Sequence, residues 1–192
     1  MASAPQSPAP WRRVKWNRAG QLAGLADAVE ALAGLNDLPP PRAFAALRDA
    51  HPEAAVRFMA QCLPRFDAIL WLHKALERSP AASAGGAEIR AGIAGWLADP
   101  SDKRRRLVFE CAEAIGIDNA DGTAGLALFL SGGSLTPPEL EQGVQPPPGA
   151  FGKAVAGTIL LAGLAQGPEN FNDELDTLLG IGLAIAEAED VL

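Results

Sequence analysis

Asp99–Leu140 reads DPSDKRRRLVFECAEAIGIDNADGTAGLALFLSGGSLTPPEL, and the order of its residue types decides the class of the fold. Asp99 and Pro100 end one segment. Ser101 then stands as a helix N-cap, with Asp102 beside the positive end of the helix dipole. The helix so opened is basic in its first turn, runs to about Ile115 and stops at Gly116, the residue type that best takes the left-handed turn of a helix C-terminus. Gly122–Leu130 follows as a shorter apolar helix. Ser131–Pro148 holds five prolines and three glycines, which makes it an exposed or packed loop rather than another helix.

Outward from this stretch the same helical punctuation recurs. From Ala19 to Leu35, Leu22, Leu25, Val29, Leu32 and Leu35 fall at spacings of three and four, the apolar stripe of a helix. Asn36, Asp37 and Pro39–Pro41 stop it. A short helix over 42–50 precedes Pro52, which at a first helical position opens a helix to Cys62. Pro64 interrupts the pattern, and Phe66, Ile69, Leu70, Leu72, Ala75 and Leu76 carry the stripe on to Arg78. The small-residue linker SPAASAGG (79–86) leads to a helix over 87–98 with Ile89, Ile93, Trp96 and Leu97 inward. The apolar segments 151–165 and 169–189 predict the most buried hairpin. No useful β-alternation and no fixed-period repeat occurs, so the expected fold is all-α, stacked helical hairpins forming an orthogonal bundle or short solenoid. The expected organisation is a flexible basic and aromatic arm over 1–18, with a Pro/Ser/Ala-rich disordered lead over 1–10, followed by one helical domain over 19–192.

Composition bounds the function. At 192 residues and 48% hydrophobic content, the chain can bury a core as one domain. The first half, 1–106, carries 15 Lys and Arg against 10 Asp and Glu. The second, 107–192, carries Lys153 alone against 13 acids, so the halves bear +5 and −12. With a sequence pI near 4.8, the chain lacks the dense basic face that counterion release on nucleic acid requires. The acidic half suits a basic partner, or the two halves attract each other. Ala154–Ala165 is too short to span a bilayer. The N-terminal MASAPQSPAPWRRVKW has no apolar core of a secretory signal, and the expectation is a cytoplasmic chain. Cys62 and Cys111 lie in apolar helical patterns and are expected as buried, reduced thiols.

Few residues offer chemistry. His51 and His73 alone could act as neutral-pH bases. The first reads as an exposed turn residue and the second as a helix-flank histidine, and neither stands at metal-ligand spacing such as HExxH. The Ser131-Gly-Gly-Ser134 stretch lacks GxSxG and the P-loop lysine, which favours a plain turn over a nucleophile or phosphate cradle. Acid clusters at Asp173, Glu174 and Asp176, and at Glu187, Glu189 and Asp190, flank helix ends and read as solvated faces. No cofactor and no metal is expected.

Three features are candidates for binding a protein. In WRRVKW, Trp11 and Trp16 flank Arg12, Arg13 and Lys15. This arm either stacks on a partner or an anionic surface, or folds one Trp back onto the core. The run Lys103–Arg106, with Arg104 and Arg105 at its centre, is either a contact surface or a solvated face paired with Asp99, Asp102 and Glu110. The Pro-rich loop from Leu135 to Pro148, including Pro137 and Pro138, is either a preformed recognition segment or a tether.

Three stretches also carry a family likeness: AVRFMAQCLP (55–64), the quoted 99–140 segment, and KAVAGTILLA (153–162). Together they resemble a bacterial domain family of unknown function. Its members carry a run like FLAxALPxREAVWW, then DP…RR…FExAExAG, an AVFxSGGSLxPP loop, and AVAGAVLLA. SGGSLTPP at 131–138 is the most specific match, and the likeness covers roughly residues 50–190. Where REAVWW would stand, this chain has RFDAILW from Arg65 to Trp71, followed by Leu72. Arg65 and Trp71 match, while the acid is Asp67 and the second Trp is missing. The resemblance implies association with type VI secretion gene clusters, as an accessory adaptor or co-chaperone for effector loading. The partner is then a secretion chaperone or an effector. An immunity-type protein that binds and neutralises a toxin is the alternative, and an enzyme acting through the Ser131 loop is a more remote one. The expected partner-binding residues are Trp11, Arg12, Arg13, Trp16, Arg65, Trp71, Arg104, Arg105, Ser131, Ser134, Leu135, Pro137 and Pro138.

Overall fold

Prolines and small polar caps set the starts of most helices. The computed structural model describes residues 9–137 and 142–188. The lead over 1–8, Pro138, and the acids Glu189 and Asp190 lie outside the described residues. Pro40 and Pro52 occupy first helical positions of α1 (Pro40–Ala50) and α2 (Pro52–Cys62), where the missing N–H costs nothing. Pro64, in extended conformation, separates α2 from α3 (Arg65–Leu76). The hydroxyl of Ser83 accepts from the Gly86 amide at the start of α4 (Ala84–Ala98), and Ser101 caps α5 (Asp102–Ile115) through the Arg104 amide. Asn119 caps α6 (Ala120–Leu130). Gly149, with φ at 78°, turns the chain into α7 (Ala150–Leu164), and Gly167, at 98°, turns it towards α8 (Phe171–Glu187). Among the described residues the protein is all-helical.

Two expectations change. Ala19–Leu35 is not an α-helix; only Ala19–Leu22 forms a short 3₁₀ turn, and tight turns follow. The segment is tied at its ends by the amides of Ala19 and Gly20, which donate to the carbonyls of Leu38 and Asn36 at 2.9 Å each. Gly20 sits so close to Asn36 that a side chain would crowd it, and Asp27 and Gly34 take positive φ. Leu22 and Leu32 are buried as the stripe predicts, but Val29 is 61% exposed. The second change is at the linker, whose Ala84–Gly86 already belongs to α4. Glycine is required there because a Cβ at Gly85 or Gly86 would press on Ile115 or on the Asp121 carboxylate.

Helix α7 is the centre of the packing, with α2, α3, α6 and α8 against it, and α4, α5 and α6 pack in sequence on one side. Gly92 against Val108 and Gly125 against Ala112 let α4, α5 and α6 approach closely. Trp71 is fully buried and donates its indole N–H to the Leu178 carbonyl at 2.8 Å, joining α3 to α8. Two partly buried ion pairs lock the far end. Arg90 holds Asp121 and the carbonyls of Leu76 and Ser79, and Arg78 chelates Glu174. No single helix among the described residues is long and apolar enough to cross a membrane; α7 and Pro168–Glu187 are bent by 111°.

Candidate binding groove at the α2–α3 junction

The break between α2 and α3 leaves a shelf that two irregular segments enclose. On one side the chain over 13–16 crosses the junction; on the other runs Pro146–Pro148, just before α7. Gln61, in the last turn of α2, holds both walls. Its side-chain amide donates to the carbonyls of Leu25 (3.0 Å) and Gly149 (2.9 Å), while its own carbonyl accepts from the Trp16 indole at 3.2 Å. Gly152 gives the Gln61 amide room, since a Cβ there would overlap it. The result is a groove of about 420 Å³, within the ~300–1,000 Å³ range of ligand clefts.

Its lining is positively charged. Arg13, Lys15 and Arg65 face it, and no Asp or Glu among the described residues does. Arg13 is anchored by the buried Asp67 at 3.0 Å. Lys15 lies over the Trp16 ring at 4.6 Å from its centroid. Arg65 is exposed at the first position of α3 and forms no ion pair among the described residues. Cys62 also lines the groove, but burial pushes its thiol well above the ordinary value, so it stays protonated and a poor nucleophile. The groove offers charge and apolar surface rather than bond-making groups.

The structure therefore brings Arg13, Trp16 and Arg65 together at the groove, gathers Arg105, Ser134 and Leu135 in a separate clasp, and leaves the other candidates outside the groove. Trp11 is a core residue, 5% exposed and 5.3 Å from the Phe44 ring. Arg12 is exposed beside it, and Trp71 belongs to the α3–α8 contact. Arg104 is exposed and reaches Asp99 at 3.3 Å. Arg105, by contrast, is buried: it bonds Asp102 at 2.6 Å, the carbonyls of Phe129 and Ser134, and lies 4.6 Å from the Phe129 ring centroid. Arg106 holds Asp102 and the carbonyls of Ser134 and Thr136. The hydrogen bonds from Arg106 and then Arg105 pull the Asp102 carboxyl below its ordinary value.

The SGGSL stretch is thus a clasp. Ser134 Oγ accepts from the amides of Thr136 (3.1 Å) and Val144 (3.0 Å), and the Leu135 amide donates to the Val144 carbonyl at 2.7 Å. Gly133, at φ 68°, passes against Arg105 where a Cβ would collide. Ser131 is buried and Pro137 exposed. Ser134 closes the loop by its own hydroxyl, and the arginines hold it from α5. Of the histidines, His51 is exposed and the Nε2 of His73 is 3.6 Å from Glu77. No group of three or more metal-ligating side chains occurs among the described residues.

Sequence reasoning did not select Gln61, and it took Lys15 and Pro146–Pro148 only as parts of the N-terminal arm and of the Pro-rich loop, not as neighbours in one groove. A lone Gln in a helix has no signal of its own, since its bonding partners lie 36 and 88 residues away. The family model described as "Family of unknown function (DUF6931)" matches residues 43–186. No curated protein and no solved structure matches the chain.

Proposed function

The chain belongs to the DUF6931 family of unknown function, and from its groove we propose a non-enzymatic protein-interaction protein acting in the cytoplasm. Its proposed role is that of an accessory adaptor or co-chaperone for effector loading in a type VI secretion system. The observation that supports binding is the groove itself, whose lining has three cations and, among the described residues, no carboxylate, in a chain of net charge −7. Local concentration of one sign of charge against the overall sign costs stability through mutual repulsion and is a feature of recognition surfaces. The secretion context rests on the sequence likeness described above.

Neutralising a basic toxin is the second reading. It draws support from the charge of −12 over 107–192 and from exposed Glu169 and Asp173 near the start of α8. Affinity capture of the tagged full-length protein from its native cells, beside an Arg65→Glu variant, separates the two. The adaptor reading expects a secretion chaperone or effector in stoichiometric amount with the wild type and strongly reduced with the variant. Capture of a single toxin whose activity is blocked, unchanged in Arg65→Glu, would overturn it in favour of the immunity reading.

A further inference from the structure

We propose that the groove takes an extended acidic segment of the partner, carboxylates towards Lys15 and Arg65 and an apolar side chain against the wall formed by Trp16 and Pro146–Pro148. This deepens the adaptor reading and rests on it. Charge complementarity chooses the sign of the ligand: among the described residues the charged side chains of the lining are all positive, and Arg65 brings a guanidinium whose planar fork suits a carboxylate. Arg13 already serves Asp67, so Lys15 and Arg65 carry the selection.

The walls choose the shape. Three consecutive prolines have no amide N–H, so Pro146–Pro148 cannot add a strand from the partner through donated hydrogen bonds. What they offer is a stiff apolar surface. Trp16 donates its indole N–H to the Gln61 backbone carbonyl and carries Lys15 over its ring, so it enters the wall as a fixed aromatic with the cation beside it. Phe151 and Leu130 extend the apolar floor. A hollow of about 420 Å³ holds a few side chains of an extended segment.

A nucleic acid fits less well. Its phosphates need a row of cations along the backbone, whereas Lys15 and Arg65 serve one groove on a protein of net charge −7 that repels polyanions elsewhere. Peptide carboxylates interspersed with apolar residues match both the charge and the walls.

The test uses the full-length protein and a short fluorescein-labelled peptide of Glu, Asp and Leu, read by fluorescence anisotropy. The expected result is micromolar binding that weakens as NaCl is raised and falls at least tenfold in Lys15→Glu and in Arg65→Glu. A Lys-rich peptide of equal length should not bind. Both substituted positions are exposed, and unchanged circular dichroism melts confirm that the variants fold. Acidic-peptide binding that is absent, or equal in Arg65→Glu, would overturn the proposal, as would equal binding of a single-stranded oligonucleotide. If wild type captures a partner that Arg65→Glu loses, yet no acidic peptide binds, this inference fails and the adaptor reading survives. If the variants capture the same partner as wild type, the adaptor reading fails as well. Groove-dependent self-association without peptide binding would assign the site to a second copy's acidic half and overturn the peptide.

Discussion

Arg104, Arg105 and Arg106 are neighbours in sequence and have three different roles. Arg104 is exposed, its pair with Asp99 lies in water, and Arg104→Ala should change stability by no more than about 0.5 kcal/mol. Arg105→Ala removes a buried cation that serves Asp102 and two carbonyls; Arg106 still reaches Asp102 and the Ser134 carbonyl, but the Phe129 carbonyl loses its donor and the buried side chain leaves a void, which should cost about 2–4 kcal/mol in urea unfolding. Ser134→Ala orphans the amides of Thr136 and Val144 and should cost about 1–2 kcal/mol, with faster hydrogen exchange at Val144. Asp102 adds a pH dependence. Its carboxyl is held below the ordinary value by Arg106 and Arg105, so its contribution is fully present above the unfolded value of about 3.9 and is lost as pH falls through the lower folded value. Thermal melts should therefore drop below about pH 4, and Asp102→Asn should be less stable at neutral pH with that part of the acid slope removed.

At the scale of elements, the helices that sequence punctuation marks are the ones that form. Pro40, Pro52, Ser101 and Gly116 stand where the caps require them, because capping is local and the residue types that perform it are few. The stripe over Ala19–Leu35 points to a helix that does not form, for a reason the stripe hides. Leu22 and Leu32 are buried whether the chain is a helix or a loop tied at its ends, and only the long-range bonds from Ala19 and Gly20 settle which. The segment over 9–18 likewise depends on a distant partner. Trp11 packs on Phe44, and Trp11→Ala should lower stability by about 3–5 kcal/mol, the cost of truncating a buried Trp. A melt unchanged in that variant would contradict the packing. Gly152→Ala should displace the Gln61 amide from Leu25 and Gly149 and cost about 1–3 kcal/mol, seen as a lower urea midpoint and increased exposure of Trp16 to quenchers.

At the scale of the whole molecule, the all-helical class was legible in periodicity and caps, whereas the groove was legible only in part. Arg13, Trp16 and Arg65 attract notice as charged and aromatic residues, but their meeting place depends on Gln61 and on prolines more than 80 residues from it. The basic and acidic halves are also a property of the whole chain. Arg78–Glu174, Arg48–Asp176 and Arg90–Asp121 each join a cation of the first half to an acid of the second, so part of the asymmetry is offset by internal pairing. In the groove lining, Arg13 is balanced by Asp67, whereas Lys15 and Arg65 form no ion pair among the described residues. Site-specific photo-crosslinking in the native cells tests this most directly, with a photoreactive residue placed at exposed Pro147 in one protein and at exposed Asp173 in another. A partner cross-linked from position 147 and not from 173 is the predicted result. A partner cross-linked from 173 alone would contradict the groove as the binding site.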